Sequence, residues 1–222
     1  MHIGLIGGIG PAGTISYYRR LMAAAAGQPL ELTIVQADVM TLAANAEADQ
    51  RHEQARVYAD LIQRLKNAGA DVAAITSVGG HFCYAELLPI SPLPLCSGID
   101  PLDLHFAAQG IETIGILGTT TVMQSRVYGQ LHKTRSVVPP EAVLPDIGAA
   151  YVGMAKSGIC DDALRQTFFE AGRQMMDQGA DAILLGGTDL GLAFDDHDPG
   201  FPVIDAAQVH VDALFALIQT KD

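Results

Sequence analysis

The sequence predicts an α/β protein of two pseudo-symmetric lobes, each a mainly parallel sheet flanked by helices, with a cleft between them. Two internal repeats predict it. Gly69-Ala70-Asp71-Val72-Ala73-Ala74-Ile75-Thr76-Ser77-Val78-Gly79-Gly80 returns 110 residues later as Gly179-Ala180-Asp181-Ala182-Ile183-Leu184-Leu185-Gly186-Gly187-Thr188-Asp189. Ile3-Gly4-Leu5-Ile6-Gly7-Gly8 returns 111 positions later as Ile114-Gly115-Ile116-Leu117-Gly118-Thr119, with Tyr17 recurring as Tyr128. Each copy is a short apolar run closed by small or hydroxyl residues, so the 222-residue chain divides into two related halves. Composition agrees. Nearly half the residues are hydrophobic (49%), aromatics are few and Trp is absent, as expected of parallel strands buried on both faces. The expected lobes are residues 1–98, joined by a C-terminal helix at about 207–222, and residues 99–206.

Taken in order, residues 3–7 make a buried strand. The turn Gly7-Gly8-Ile9-Gly10-Pro11-Ala12-Gly13-Thr14 opens a helix, with Pro11 suited to its first turn and Tyr17, Tyr18, Leu21 and Met22 on its apolar side. Residues 30–35 are the second strand, and residues 39–50 are expected to be a polar, Ala-rich loop. Tyr58, Leu61, Ile62 and Leu65 have helical spacing, and Asn67-Ala68-Gly69-Ala70 ends that helix. Residues 71–76 and 93–96 follow as strands, and residues 97–102 cross to the second half. There, a strand is expected at 113–117, a helix at 123–131 and an edge segment at 134–145. Leu164, Phe168, Ala171 and Met175 mark a long helix, residues 181–185 and 201–205 two strands, and Val211, Leu214, Phe215 and Ile218 the last helix.

Charge excludes some partners. The formal net charge is -12, so no basic field exists to hold a nucleic acid or an anionic membrane. No apolar stretch approaches the length of a membrane span. Three scattered cysteines, Cys83, Cys96 and Cys160, form no CxxC and suggest neither a disulfide framework nor a zinc site. Asp195-Asp196-His197-Asp198 is expected to be a solvated acidic loop, since four adjacent residues do not converge on one ion, and no metal site is expected. The start of the chain has no secretory pattern, and a cytoplasmic setting is expected.

Ligands of open α/β sheets bind beyond the carboxyl ends of the strands. Those ends are Gly7-Gly8, Ser77-Val78-Gly79-Gly80, Gly118-Thr119-Thr120 and Gly186-Gly187-Thr188. Small residues let backbone N–H groups approach an anion, and hydroxyls add donors. A small carboxylate ligand is the expectation. Gly8-x-Gly10-x-x-Gly13 also matches a dinucleotide fingerprint, with Asp38 as its acidic partner, but the second copy of the turn drops the glycines.

With these motifs assembled, the chain resembles the aspartate/glutamate racemase family. The resemblance rests on Ile6-Gly7-Gly8-Ile9-Gly10-Pro11, Gly69-Ala70-Asp71, the run ending at His81, Leu117-Gly118-Thr119 with Tyr128, Lys156-Ser157-Gly158, the run from Gly179 to Asp189, and Pro202-Val203-Ile204-Asp205 with His210. It implies two pseudo-symmetric lobes, no cofactor, homodimers, and small amino-acid or carboxylate substrates. It also implies two thiolates, one per lobe, that remove and return the α-proton.

The chain departs from that pattern. The family's Cys-Asn-Thr-Ala-His corresponds to Ser77-Val78-Gly79-Gly80-His81, and its Gly-Cys-Thr-Glu to Gly186-Gly187-Thr188-Asp189. Serine needs a neighbouring base, and glycine transfers no proton. Standard two-cysteine racemisation is therefore not expected. Ser77 and His81 are the catalytic candidates. Gly8, Val78, Gly79, Thr119, Lys156, Gly187, Thr188 and Asp189 are the substrate-binding candidates, with Asp189 either on a substrate amine or capping a helix. Three readings stay open: altered isomerase or lyase chemistry, a non-catalytic carboxylate binder, and a racemase with a displaced cysteine, Cys83 first.

Overall fold

The computed structural model describes residues 1–8 and 11–219, so Ile9 and Gly10 of the first glycine turn lie outside the described residues, as do residues 220–222. Contacts divide the chain into two units. One comprises Met1–Gly98 with the final helix from His210 onward; the other is Ile99–Val209.

The first unit runs β1 (His2–Gly7), α1 (Pro11–Ala24), β2 (Glu31–Gln36), α2 (Val39–Glu47), α3 (Arg51–Asn67), β3 (Val72–Ile75), a 3-10 turn (Val78–Cys83), α4 (Tyr84–Leu87), a second 3-10 turn (Leu88–Ile90) and β4 (Leu95–Cys96). Its strands are all parallel in the order β2-β1-β3-β4. The central strands β1 and β3 are buried almost throughout, which is why both are short apolar runs of Ile, Leu, Val and Ala.

The second unit runs α5 (Asp100–Ala108), β5 (Thr113–Leu117), α6 (Thr120–Gln124), a 3-10 turn (Val127–Gly129), β6 (Arg135–Val137), α7 (Leu144–Ser157), α8 (Asp162–Asp177), β7 (Ala182–Leu185), a 3-10 turn (Thr188–Leu190), α9 (Gly191–Phe194) and β8 (Val203–Asp205); α10 (Ala206–Gln219) follows. Its sheet is again parallel, in the order β6-β5-β7-β8. The two four-stranded sheets share one connectivity, as the repeat predicts.

The repeated Gly-Ala-Asp is a structural device. Gly69 (φ +94°) and Gly179 (φ +92°) take the left-handed conformation that ends a helix without a Cβ penalty. The next N–H, of Ala70 or Ala180, closes on Leu65 O (3.0 Å) or Met175 O (3.1 Å). The aspartate then locks the neighbouring strand: Asp71 N–H donates to His2 O while Asp71 Oδ2 accepts from His2 N–H, both at 2.8 Å. In the second copy Asp181 N–H donates to Thr113 O (2.8 Å), and Asp181 Oδ2 accepts from Thr113 and Glu112 N–H (2.9 Å each).

Several local expectations are corrected. Residues 39–50 are not a loop: Asp38 Oδ1 accepts from Thr41 N–H at 2.7 Å and caps α2, and Asn45 joins Gln54 of α3. The expected helix at 123–131 stops at Gln124, because Arg126, Val127 and Tyr128 all have positive φ (51°, 56° and 58°). The burial of Val127 and the Tyr128 N–H to Ser125 Oγ bond (3.0 Å) hold this turn. On α1, Tyr17 and Leu21 face the core, but Tyr18 and Met22 are exposed. Helices α5 and α7 were not foreseen. In α10 Val211 and Leu214 are buried and Phe215 is half-buried, while the side chain of Ile218 lies outside the described residues.

Candidate functional site

In the first unit the strand tips bring Gly8, Ser77 and Gly79 together. Ser77 is extended (φ -156°) and half-buried, and its hydroxyl forms no cap bond to the turn it precedes. A Cβ on Gly8 would stand 3.1 Å from Ser77 Cβ, and one on Gly79 3.3 Å from Ser77 Oγ. The two glycines thus leave the seryl group free of crowding. Gln36 Nε2 fixes the turn by donating to Gly8 O (2.8 Å) and Ala37 O (3.1 Å). Beneath it, Thr76 Oγ1 donates to Ile6 O (3.0 Å) and lies 3.4 Å from Thr14 Oγ1. Val78 is buried, so it offers the site no polar side chain.

His81 lies under this tip rather than open to solvent. Gly98 N–H donates to its Nε2 (2.9 Å), so Nδ1 carries the hydrogen and donates to Ser77 O (2.8 Å). His210, from α10, mirrors it. Its Nε2–H donates to Cys96 O (3.1 Å), and Nδ1 accepts the Tyr17 hydroxyl (2.9 Å). The two imidazoles meet edge to face, 6.0 Å between centroids. Burial, and then the neighbouring His81, hold His210 down to about 3, so it is neutral. A neutral, doubly bonded pair is how two histidines can be buried at little cost. Through His81 the pair ties the Ser77 carbonyl to Gly98, and through His210 it ties Tyr17 to Cys96 at the end of β4.

In the second unit, Thr119 caps α6, its Oγ1 accepting from Val122 N–H at 3.2 Å. Lys156 is exposed in the last turn of α7. Gly187 is extended and buried, and the ring of Tyr151, from α7, lies where a side chain at 187 would start: a Cβ there would be 2.5 Å from three of its atoms. Tyr151 OH donates to Asp189 Oδ2 at 3.1 Å, with both residues buried. Asp189 therefore does not serve as a side-chain cap here. Burial raises its carboxyl above the usual range, opposed by the Tyr151 hydrogen bond. Burial, with the Asp189 charge adding to it, also raises the Tyr151 phenol, so that residue is a hydrogen-bond donor and no base. Thr188 is half-buried beside them. Tyr151 was not foreseen, though Ile147, Tyr151, Met154 and Ala155 between Pro145 and Gly158 carry a helical stripe that could have shown α7.

Neither repeated tip, at Ser77 or at Gly187, carries a thiol. Cys83 is wholly buried, and burial first, then the charge of Glu86, pushes it up to about 12. Cys96 is buried in β4, and Cys160 is half-buried with burial raising it. In the acidic loop, Asp198 Oδ1 accepts from Gly200 N–H and His197 Nδ1 donates to Asp195 O, and no metal-binding group of His, Cys, Asp and Glu occurs among the described residues. A cavity of about 480 Å³ in the first unit is lined by His52, Arg56, Glu86 and Ile90 among others, and by none of the candidate site residues. Among the described residues no helix is long and apolar enough to cross a membrane.

Two parallel four-stranded sheets of identical order, with Gly8, Ser77, Gly118 and Gly186 beyond their central strands, define a two-unit parallel α/β protein. Residues 6–214 match the model of the Asp/Glu/hydantoin racemase family, and the chain belongs to that family. Solved structures agree in fold. A candidate Asp/Glu racemase from Yersinia pestis is 24% identical with a TM-score of 0.86, over 99% of this chain and 100% of that one. An aspartate racemase homologue from Pyrococcus horikoshii OT3 is 22% identical with a TM-score of 0.81, over 98% and 99%. The aspartate racemase of Picrophilus torridus is 19% identical with a TM-score of 0.78, over 99% and 95%.

Proposed function

We propose that this chain binds a small amino acid or dicarboxylate at its strand tips and performs isomerase- or lyase-type chemistry next to the carboxylate, without two-thiol racemisation. The observation that carries this reading is the pair Ser77 and Gly187 at the repeated tips, with all three thiols elsewhere and Cys83 held protonated at neutral pH. A proton carrier must be reachable and titrate near the working pH, and Cys83 is neither. Ser77 is then the polar group offered by the first unit. His81 acts as a positioning residue through the Ser77 carbonyl, since both of its nitrogens are bonded to backbone. The further candidate contacts are the backbone of Gly8, Val78 and Gly79 in the first unit and, in the second, the backbone of Gly187 with Thr119, Thr188, Asp189 and Lys156. Family membership supports a homodimer that works without a cofactor in the cytoplasm.

The test is incubation with L- and D-aspartate and glutamate in heavy water, followed by proton NMR. Deuterium at the α-carbon without Ser77 dependence would sink the altered-chemistry reading. Dicarboxylate-dependent thermal shifts with no turnover of any compound would instead favour a binding relative that has lost catalysis, the reading that Gly187 supports.

A further inference from the structure

The cavity of about 480 Å³ in the first unit has no part in the strand tips and lies between α3 and the segment that follows His81. From α3 come His52, Ala55 and Arg56, one helical face at i, i+3 and i+4; from α4 and the 3-10 turn after it come Ala85, Glu86, Pro89 and Ile90. Apolar walls with few polar groups, at this volume, suit a small amphipathic molecule. Ile90 is 46% exposed, whereas Leu87 on the same segment is fully buried, so an apolar surface stays open at the cavity. Glu86 adds a charge without a partner. Its Oε2 is buried with no hydrogen-bond partner, and Oε1, the accessible oxygen, accepts no hydrogen bond from a described residue either. The guanidinium of the lining, Arg56, is turned to Glu53 at 3.2 Å. The Glu86 charge is felt instead at Cys83, where it adds to burial in pushing the thiol up to about 12. An uncompensated carboxylate in an apolar wall favours an incoming cation, and the formal net charge of -12 attracts cations to the whole surface.

We infer that this cavity is a second ligand site, for a small apolar primary amine whose ammonium pairs with Glu86 and whose body lies against Ala55, Ala85, Pro89 and Ile90. The ammonium supplies hydrogens and opposite charge together, which neither the Arg56–Glu53 pair nor any apolar wall residue can. His52, in its neutral form, has an acceptor nitrogen for a second N–H of the same group. Alkyl- and arylalkylamines are the class. An alcohol of the same shape brings hydrogens without charge, and a carboxylate meets Glu86 with like charge. The site does not depend on the carboxylate reading of the strand tips, since it shares no residue with them and its ligand needs no carboxylate.

Titration of the full chain with 2-phenylethylamine, 2-phenylethanol and phenylacetate, followed by ligand-observed NMR, tests this. The three share a phenyl ring and carry a cationic, a neutral and an anionic head. The expected result is that the amine binds about tenfold or more tighter than either of the others. In Glu86→Gln that preference should fall to about threefold or less while the affinity for the alcohol holds, since only the charge is lost. Ala85 is exposed, so Ala85→Phe narrows the cavity without entering the core and should weaken amine and alcohol alike, by about tenfold. Equal binding of amine and alcohol by the parent, or no binding of the amine, overturns the inference. So does an amine preference that survives Glu86→Gln, or an affinity untouched by Ala85→Phe. Preference for phenylacetate would make His52 and Arg56 the recognising groups and overturns it as well. Displacement of the amine by excess succinate would place it at the strand tips, which overturns this inference and leaves the carboxylate reading standing.

Discussion

The ring of Tyr151 stands where the side chain of residue 187 would begin. A Cβ on Gly187 would fall 2.5 Å from Cε2, Cζ and OH of Tyr151, closer than real contacts allow. Gly187 is extended (φ -141°), so the constraint is steric and not one of backbone conformation. Gly187→Ala and Gly187→Cys should each cost about 1–3 kcal/mol, the range for overpacking a filled site. Tyr151→Ala empties that space and should itself cost about 3–5 kcal/mol, as large aromatic truncations do. Combined, Gly187→Cys with Tyr151→Ala should be less damaging than the two added together, by about 1 kcal/mol or more. Urea unfolding of the four proteins measures this, and strict additivity would show that the two positions do not share space.

His210 makes acid stability a readout of the histidine pair. Its folded value near 3 is below the ordinary 6.5, so the unfolded chain takes up a proton at higher pH than the native one. Stability from this group is full above about pH 6.5 and is lost as pH falls toward 3, at up to about 1.4 kcal/mol per pH unit. In His210→Gln the denaturation midpoint should change less steeply with pH across that window. An acid limb of unchanged slope would mean that His210 does not titrate as its burial between Tyr17 and Cys96 requires.

The fold was legible because the chain states it twice. Gly69-Ala70-Asp71 and Gly179-Ala180-Asp181 mark helix end, turn and strand start by local geometry alone, and the apolar runs beside them can only be buried parallel strands. The site was less legible, for physical reasons. Ser77, Gly79 and Gly187 could be placed at strand tips from sequence order. What fills the space around them could not, since Tyr151 meets Asp189 across 38 residues and Tyr17 meets His210 across 193. Helix α2 was hidden because Asp38 looks like a ribose ligand until its bond to Thr41 N–H is seen. The break after α6 was hidden because Arg126, Val127 and Tyr128 carry no signal for positive φ.

Thiol chemistry should follow burial. Cys83 is fully enclosed and held near 12, whereas Cys160 is half-buried. Iodoacetamide at pH 7.5 should modify Cys160 first and leave Cys83 intact until the protein unfolds, because the reactive species is an accessible thiolate. Peptide mass spectrometry over a time course reads the order directly. Rapid labelling of Cys83, with protection by aspartate, would restore the displaced-cysteine racemase.

Asp181 ties two strands with one side chain, and its removal should act on the second unit through β5 and β7. Its carboxylate accepts from the N–H groups of Thr113 and Glu112, and those bonds, Thr113 first, hold its carboxyl below the usual range. A carboxylate with a depressed value adds stability that is full above its unfolded value near 4 and is lost as pH falls through the folded value. Asp181→Asn removes the charge but keeps the shape, so it should lower the melting temperature at pH 6–7. The gap from the parent should then narrow as pH falls below about 4, where protonation of the unfolded parent's carboxylate begins to offset the stability that the charge adds. Thermal melts at half-unit pH steps provide the comparison, and Asp71→Asn serves as the equivalent in the first unit, where Oδ2 accepts from His2 N–H. A gap that stays constant down to pH 3 would mean that Asp181 acts by shape alone, and that the charge in the repeated Gly-Ala-Asp does not hold the strand start.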